Sequence, residues 1–196
     1  MRIYFDTSAF VKRYCEEEGS EIVNEIFESE NEIITSYWTL AEATTAIDKK
    51  VTKGQIREEE RDFVLSLLLS DVLDRNITFV KISNEFIEAI IEMILVHHIS
   101  ADDALQLFSC IISFSPIFLV SDRSLIQAAK REGLKVFDIE NSEERERLRR
   151  LLVGEDDVLS EQLKRRVSTD DAFLYNPFLN FNLEEWSENN VCTHSG

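Results

Sequence analysis

The sequence lacks the cysteine patterns and the long apolar runs that identify several large classes of protein. Its three cysteines, Cys15, Cys110 and Cys192, are odd in number, widely separated and include no CxxC pair. This pattern argues against a disulfide framework and a structural zinc site, and it fits a reducing compartment, so we expect a cytoplasmic protein. No apolar run reaches the length of a membrane span, and Asp6 follows the first apolar triplet at once. We therefore expect neither a membrane segment nor a signal peptide.

Glycine-rich phosphate loops and an excess of positive charge are also missing. The sequence has neither GxGxxG nor GxxxxGK[ST], so it gives little support to a nucleotide cofactor. Its 21 Lys and Arg residues stand against 38 Asp and Glu residues, for a formal net charge of −17. Such a chain repels nucleic acid unless basic residues gather locally or metal ions intervene. The same acidity suits a chain that carries a carboxylate cluster and meets a basic partner.

What the sequence does have is a regular alternation of strand and helix patterns. At 196 residues, of which 44% are hydrophobic, the chain is long enough for one domain or one domain with an appendage. Alternation of this kind predicts parallel strands with helical crossovers, and hence a three-layer α/β/α fold around a central parallel sheet. The predicted strands cover 3–5, 33–35, 78–82, 117–120 and 135–137. The main predicted helices cover 20–28, 37–50, 56–73, 84–96, 100–113 and 124–132.

In the helix predicted over 56–73, apolar residues at helical spacing predict which face is buried. The predicted core residues of this helix are Phe63, Val64, Leu67, Leu68 and Leu73.

The character of the sequence changes after residue 139. Charged amphipathic helices are predicted over 143–152 and 158–167, and residues 168–196 lack periodicity but contain aromatic side chains. We therefore expect an α/β domain over 1–139 and an acidic, helical and irregular C-terminal extension over 140–196. A tail of this kind either packs onto a surface or folds against a partner.

Two aspartates stand at the carboxyl ends of predicted buried strands. Asp6 ends the apolar run Ile3-Tyr4-Phe5, and Asp122 closely follows the run Ile117-Phe118-Leu119-Val120. Each stands directly before a helix, so N-capping is the alternative for either residue. Parallel strands of one sheet end at the same edge, where open α/β proteins bind ligands. We therefore expect Asp6 and Asp122 to reach the same crevice.

A further pair of aspartates, Asp102 and Asp103, opens the helix that follows Ser100. Because Ser100 and Asp103 are three residues apart, a capping box is the alternative to a functional role. Asp102 shares its helical row with polar residues and Asp103 shares its row with apolar ones, namely Gln106, Ser109 and Ser113 against Leu107, Cys110 and Phe114. We expect Asp102 to face water and Asp103 to point to the protein body. A buried carboxylate is costly unless it is neutralised, so Asp103 is the better candidate.

Glu42 lies in the middle of a predicted helix, among apolar or small neighbours in its row. The alternative is an ordinary solvated glutamate. His97 and His98 do not suggest a metal site, because adjacent histidines on a helix end point in different directions. We interpret both as surface or capping residues.

Bringing Asp6, Glu42, Asp103 and Asp122 into one crevice makes physical sense only with a cation. Three or four carboxylates within a few ångströms do not all stay ionised without one, because like charges raise the pKa values of their neighbours. All-oxygen ligation suits Mg²⁺ or Mn²⁺. One or two such ions activate water and stabilise the leaving oxygen in phosphodiester hydrolysis.

Four segments together resemble a known family. Ile3-Tyr4-Phe5-Asp6-Thr7-Ser8-Ala9 resembles the opening motif of PIN-domain ribonucleases, in particular the VapC-type toxins of toxin–antitoxin pairs. Leu40-Ala41-Glu42 is similar to the glutamate-bearing helix of that family, and Ala101-Asp102-Asp103-Ala104-Leu105 resembles its Asp-Ala helix start. Phe118-Leu119-Val120-Ser121-Asp122-Arg123 resembles the strand that carries its last aspartate. The resemblance covers about residues 1 to 138.

This resemblance implies an acidic pocket that holds Mg²⁺ or Mn²⁺ and cleaves single-stranded RNA endonucleolytically. It also implies a homodimer and an antitoxin that blocks the site. Carried over, Asp6 and Asp103 are the principal metal ligands, Glu42 and Asp122 complete the pocket, and Ser8 orients Asp6. Seven basic residues are candidates to line the approach of the RNA, namely Lys12, Arg13, Lys49, Lys50, Arg123, Lys130 and Arg131.

The role of the C-terminal extension stays open, and two rival functions remain. The extension after residue 140 is not part of the usual short toxin; it either covers the crevice, replaces a separate antitoxin or binds another protein. The first rival function is a catalytically weak PIN-like module for protein interaction. The second is a phosphate-receiving signalling domain, which requires a lysine after the last strand turn and a phosphorylatable aspartate at the end of a middle strand. The middle strand of this chain ends in Lys81-Ile82-Ser83.

Overall fold

Five parallel strands form one sheet in the computed structural model, which describes residues 1–74 and 77–154. Along the sheet the strand order is β3-β2-β1-β4-β5, and β1 pairs with both β2 and β4. The chain therefore runs outward from β1 to one edge and then returns to the other side of β1. The strands are β1 Arg2–Phe5, β2 Glu32–Ser36, β3 Ile77–Val80, β4 Ile117–Val120 and β5 Val136–Asp138.

Eight α-helices connect and flank these strands in the described part of the chain. Two short 3₁₀ segments, Val11–Arg13 and Asn84–Phe86, precede α2 and α5. The helices are α1 Thr7–Phe10, α2 Ser20–Phe27, α3 Trp38–Thr52, α4 Glu58–Asp74, α5 Ile87–His97, α6 Ala101–Ile112, α7 Arg123–Arg131 and α8 Ser142–Leu152. Among these helices none is long and apolar enough to cross a membrane.

The central strands are buried on both faces, and successive side chains alternate between two hydrophobic cores. Ile3 and Phe5 belong to the core that is shared with α1, α2, α3, α4 and α8. Tyr4, which lies between them, belongs to the core shared with α5, α6 and α7. Helices thus cover both faces of a parallel sheet, and the predicted α/β class with its α/β/α layers is confirmed.

Helix α4 buries a different face from the one predicted. Leu68 is buried and Val64 packs against the core, as predicted. The prediction was wrong for Phe63, Leu67 and Leu73, whose exposed fractions are 64%, 44% and 82%. Their places are taken by Leu65 and Val72. The helix is apolar around most of its circumference, so the spacing of apolar residues did not select the inner face.

His97 also differs from its prediction. His98 is exposed and caps α5 in a left-handed conformation with φ 55°, in agreement with a capping role. His97 is buried instead, and its Nε2 lies 2.7 Å from Oε1 of Glu132, at the end of α7. The pair links α5 to α7.

Helix α8 packs onto the same body as the sheet. Leu148 and Leu151 are buried in the core that contains Ile3 and Phe5. On the outside of the helix, Arg149 forms an ion pair of 2.9 Å with Glu25 of α2. The helix predicted over 143–152 is present as α8, and it is fixed by core packing on its inner face and by an ion pair on its outer face.

The rest of the predicted extension falls beyond the described part of the chain. The helix predicted over 158–167 and the aromatic tail over 168–196 lie outside the described residues. The domain boundary expected after residue 139 stays a prediction.

Candidate active site

The sheet order places one crevice at its carboxyl edge. Between β1 and β4 the direction of strand progression reverses, and ligands of open α/β sheets bind at such a switch point. Asp6 and Asp122 follow these two strands, at the residues predicted.

Asp6 is held tightly at the end of β1. It is only 5% exposed and caps the first turn of α1. Its Oδ2 accepts hydrogen bonds from the backbone N–H of Ser8 at 2.9 Å and from the Ser8 hydroxyl at 2.5 Å. Its Oδ1 accepts no hydrogen bond from any residue within 1–74 or 77–154. One carboxylate oxygen is therefore anchored, and the other is available to a ligand.

Ser8 connects the ends of the two central strands. Its hydroxyl donates to Asp6, as predicted, and accepts a hydrogen bond of 2.9 Å from the backbone N–H of Ser121, which follows β4. The Ser121 hydroxyl is itself buried and has no hydrogen-bond partner in the described part of the chain. A buried polar atom without a partner is uncommon in a folded protein, and this one belongs to the residue that directly follows β4.

Burial raises the pKa of Asp6 to about 7. Hydrogen bonds from Ser8 favour the ionised form and oppose this effect, whereas the negative charges of Glu42 and Asp103 raise the pKa further. Glu42 and Asp103 are therefore close enough to Asp6 to affect its ionisation.

Glu42 lies on α3 and is partly buried. Its Oε2 accepts hydrogen bonds from the Thr7 hydroxyl at 2.5 Å and from Nε2 of Gln106 at 2.6 Å. Burial raises the pKa of Glu42, these two hydrogen bonds lower it, and the charges of Asp102 and Asp103 raise it again. Glu42 is thus a partly buried, hydrogen-bonded carboxylate, and the alternative of a solvated glutamate does not describe it.

Asp103 lies in the first turn of α6, where Ser100 is the N-cap. The backbone N–H of Asp103 donates to the Ser100 hydroxyl at 3.3 Å, so the capping alternative is present. Burial raises the pKa of Asp103, hydrogen bonding with Ser100 lowers it, and the charges of Asp122 and Asp102 raise it. Asp103 is more buried than Asp102, which is exposed as expected.

Apart from Asp102 itself, the polar row of α6 does not face water, contrary to the prediction. The polar residues in its helical row were expected to face water with it, but all three are buried, namely Gln106, Ser109 and Ser113. Polar residues along one row of a helix indicate either a solvated face or a hydrogen-bonded core, and here they lie in the core.

Asp122 caps α7, which is the alternative that the sequence left open. Its Oδ1 accepts hydrogen bonds from the backbone N–H groups of Ser124 at 2.8 Å and Leu125 at 3.1 Å. Hydrogen bonding to Ser124, chiefly from its side chain, lowers the pKa of Asp122. Its side chain is exposed, and its charge acts on Asp103. Asp122 therefore lies at the rim of the site.

The four predicted residues are brought to the same region, but they do not form a finished metal site. Within residues 1–74 and 77–154, no three His, Cys, Asp or Glu side chains are arranged to hold a metal ion as they stand. In the same part of the chain, no Lys, Arg or His pairs with any of the four carboxylates. The ion pairs go elsewhere, to residues such as Glu17, Glu132 and Glu140. The negative charge of the site is not neutralised by these side chains.

Gln106 is the site residue that the sequence analysis missed. It is 1% exposed, and its amide contacts Glu42, Thr7 and Thr39 through Nε2. The only signal in the sequence was its place in a polar row of an otherwise apolar helix.

The predicted basic approach to the site is largely wrong. Lys12 is buried and pairs with Glu140 at 2.8 Å, and Lys50 pairs with Glu17 at 2.6 Å. Arg13 is also engaged in an ion pair, with Asp71.

Most of the exposed basic candidates also lie away from the site. Lys130 and Arg131 lie at the far end of α7, about 13 Å along its axis from the sheet edge that carries Asp122. Lys49 is exposed and lies in the last turn of α3, away from the start of that helix at the same edge. Arg123 is the candidate that stands next to the site in sequence, and it is exposed.

The chain is therefore an α/β protein with an acidic crevice at the switch point of its parallel sheet. A family model of the PIN domain matches residues 3–131, and the chain belongs to this family. The match runs from β1 to the end of α7 and includes all four carboxylates. The PIN domain is generally a nuclease fold.

Comparison with other proteins adds little beyond the family. The crystal structure of PAE2754 from Pyrobaculum aerophilum is similar, with a TM-score of 0.45 and 15% sequence identity. The match covers 86% of this chain and 100% of that one. No curated protein matches the sequence.

Proposed function

We propose that this PIN-domain protein is an Mg²⁺- or Mn²⁺-dependent endoribonuclease of the VapC type that hydrolyses single-stranded RNA. In this proposal Asp6 and Asp103 are the principal metal ligands, and Glu42 and Asp122 complete the pocket. The observation that carries it is the gathering of carboxylates at the switch point of the sheet, where the charges of Glu42 and Asp103 raise the pKa of Asp6 and the charge of Asp103 raises the pKa of Glu42. A nuclease that uses divalent cations gives a reason for this costly arrangement.

The donor chemistry fits a divalent cation. Asp6, Glu42 and Asp122 each use one carboxylate oxygen in hydrogen bonds and keep the other free of such bonds to the described residues. All-carboxylate ligation suits Mg²⁺ and Mn²⁺, which also keep several water ligands. Repulsion between the carboxylates opposes their closer approach, and a cation between them would reverse that effect.

A bound Mg²⁺ or Mn²⁺ supplies an activated water and stabilisation of the leaving oxygen. The protein's own contribution is to hold the carboxylates in the ionised form and in fixed directions. Ser8 does this for Asp6, and Thr7 with Gln106 does it for Glu42.

The proposal extends to partners. Homodimer formation and an antitoxin both need an exposed apolar surface, and Phe63, Leu67 and Leu73 of α4 offer one. Cys15 and Cys110 are free thiols, which fits the reducing conditions of the cytoplasm. Residues 140–196 form the proposed acidic extension to a nuclease domain over 1–139. The exposed apolar residues of α4 also favour the rival function, a PIN-like interaction module.

The test is cleavage of a mixed single-stranded RNA pool with Mn²⁺, with Mg²⁺ or with EDTA. We expect metal-dependent cutting by the wild type and a loss of about 100-fold or more in Asp6→Asn and Asp103→Asn, because each removes one proposed ligand charge. Asp62→Asn is the matched control, since it removes an exposed carboxylate of α4. No cutting by the wild type under any metal would support the interaction module instead.

A further inference from the structure

The amide of Gln106 lies at the centre of a buried hydrogen-bond network beside the acidic site. Gln106 is on α6, one turn after Asp103, and is 1% exposed. It contacts residues from β1, from α1 and from α3. A polar side chain in such a position is costly unless each of its groups finds a partner, so the network can be checked atom by atom.

The amide oxygen of Gln106 points towards the sheet. The hydroxyl of Tyr4, fully buried on β1, donates to Oε1 of Gln106 at 2.8 Å. Because Oε1 accepts this bond, Nε2 must point away from the strand. An ionised carboxylate accepts hydrogen bonds but does not donate them, so Glu42 selects the same orientation.

The two N–H bonds of Nε2 are shared among three acceptors. Nε2 lies 2.6 Å from Oε2 of Glu42, 2.8 Å from Oγ1 of Thr7 and 3.0 Å from Oγ1 of Thr39. Thr7 gives its own proton to Oε2 of Glu42, so its oxygen is free to accept from Gln106.

Thr39 is free to accept for a similar reason. The Thr35 hydroxyl donates to the backbone carbonyl of Phe5 at 2.8 Å, so in its 2.7 Å contact with Thr39 it is the acceptor. Thr39 therefore donates to Thr35 and accepts from Gln106. The donors and acceptors of the network match from Tyr4 to Glu42.

The consequence is a directional constraint on Glu42. The two donors, Thr7 and Gln106, both bind Oε2, and Oε1 has no hydrogen-bond partner among the residues that the structure describes. A glutamate side chain otherwise has several rotatable bonds, and fixing it in advance removes part of the entropic cost of ligand binding.

We propose that Gln106 is a positioning residue of the active site, whose buried amide holds Oε2 of Glu42 so that Oε1 is presented to the bound cation. This inference rests on the proposed metal-dependent function. It requires glutamine at this position. Methionine has similar length but no donor, glutamate would place a second carboxylate against Glu42, and asparagine is one methylene too short to reach both Tyr4 and Glu42.

The experiment measures Mn²⁺ affinity by isothermal titration calorimetry on the full chain. Gln106→Met is expected to raise the Kd for Mn²⁺ about 10-fold or more, in the range typical of residues that orient a metal ligand. Gln127→Met is the matched control, because Gln127 is an exposed glutamine on α7. It should leave the Kd within about twofold, as surface substitutions usually do.

A double-mutant cycle separates positioning from packing. In a Glu42→Gln background, Gln106→Met should change the Mn²⁺ Kd less than about twofold, because the residue through which Gln106 acts is already altered. An equal loss of affinity in both backgrounds would overturn the proposal, since it would mean that Gln106 acts through the fold and not through Glu42.

A second pair of variants covers the case in which Gln106→Met does not fold. Thr7→Val removes the other donor to Oε2 and should weaken Mn²⁺ binding, whereas Thr7→Ser keeps the hydroxyl and should retain it. Equal binding by Thr7→Val and Thr7→Ser would contradict the inference. If the wild type itself binds no Mn²⁺, the proposed function fails as well. If the wild type binds Mn²⁺ and cuts RNA but Gln106→Met matches it, the positioning role alone fails.

Discussion

At the scale of single residues, the buried carboxylate of Asp6 lowers the stability of the folded state. Its carboxylate is 5% exposed, its pKa is raised to about 7, and no cationic side chain of the described residues pairs with it. An uncompensated buried charge destabilises the folded state. Sites that keep such a charge commonly do so for function, because removing it would stabilise the protein.

Asp6→Asn should therefore stabilise the metal-free protein in a pH-dependent way. The folded pKa of about 7 lies above the unfolded value of about 3.9, so between these values the folded state binds more protons. Wild-type stability should fall as pH rises from about 4 to about 7, and the Asn variant should lack this contribution. We expect the variant to gain up to ~4 kcal/mol in the free energy of unfolding at pH 8, and little near pH 4.

Urea unfolding in EDTA at pH 4.5 and pH 8 measures this difference. Asp62→Asn serves as the control for the loss of an exposed charge. A difference between wild type and Asp6→Asn that is the same at both pH values would contradict the explanation by a buried charge.

The sequence predicted the acidic residues better than the residue that orients one of them. Asp6 and Asp103 stand out because a carboxylate interrupts an apolar pattern. Gln106 does not stand out, since its burial depends on Tyr4 and Glu42, which are 102 and 64 residues away in the chain. A pattern within one helix does not contain that information.

At the scale of secondary structure, buried strands were easier to predict than the inner faces of helices. β4 has the predicted bounds, Ile117–Val120, because a continuous apolar run that ends near an aspartate has few other interpretations. The face of α4 was predicted incorrectly, because apolar residues on both sides satisfy the same helical spacing. The outer residues Phe63, Leu67 and Leu73 are therefore free for contacts with another molecule.

Helix α8 gives the prediction at this scale. Leu148 is completely buried in the core beneath the sheet, so Leu148→Ala should lower the free energy of unfolding by about 2 to 5 kcal/mol. Val153 follows the same helix and is 69% exposed, so Val153→Ala should change it by less than about 0.5 kcal/mol. Both values come from chemical denaturation of the full chain. If Leu148→Ala is as mild as Val153→Ala, α8 is not part of the cooperative unit.

At the scale of the whole molecule, the topology assembles the site from separate parts of the chain. The sheet order 3-2-1-4-5 brings Asp6 and Asp122 to one edge. α3 and α6 then approach from opposite faces and contribute Glu42 and Asp103. The alternation of strands and helices predicted the parallel sheet, but the meeting of four elements depends on packing that no single segment specifies.

The overall charge constrains how RNA would reach this site. The chain carries a net charge of −17, and several basic side chains that appeared available in the sequence are used in ion pairs, among them Lys12 and Lys50. The protein surface alone therefore gives RNA little electrostatic attraction. A cation bound at the proposed site would then be the main positive charge that a phosphate meets.

The proposed function requires a cation in the crevice that the four carboxylates line. The most direct test is an anomalous difference map from crystals of the protein grown with Mn²⁺. We expect one strong peak in the crevice between β1 and β4, about 2 Å from an oxygen of Asp6 and from an oxygen of Asp103. A map without a peak at Asp6, or with Mn²⁺ bound only by carboxylates elsewhere on the surface, would contradict the proposed cation site.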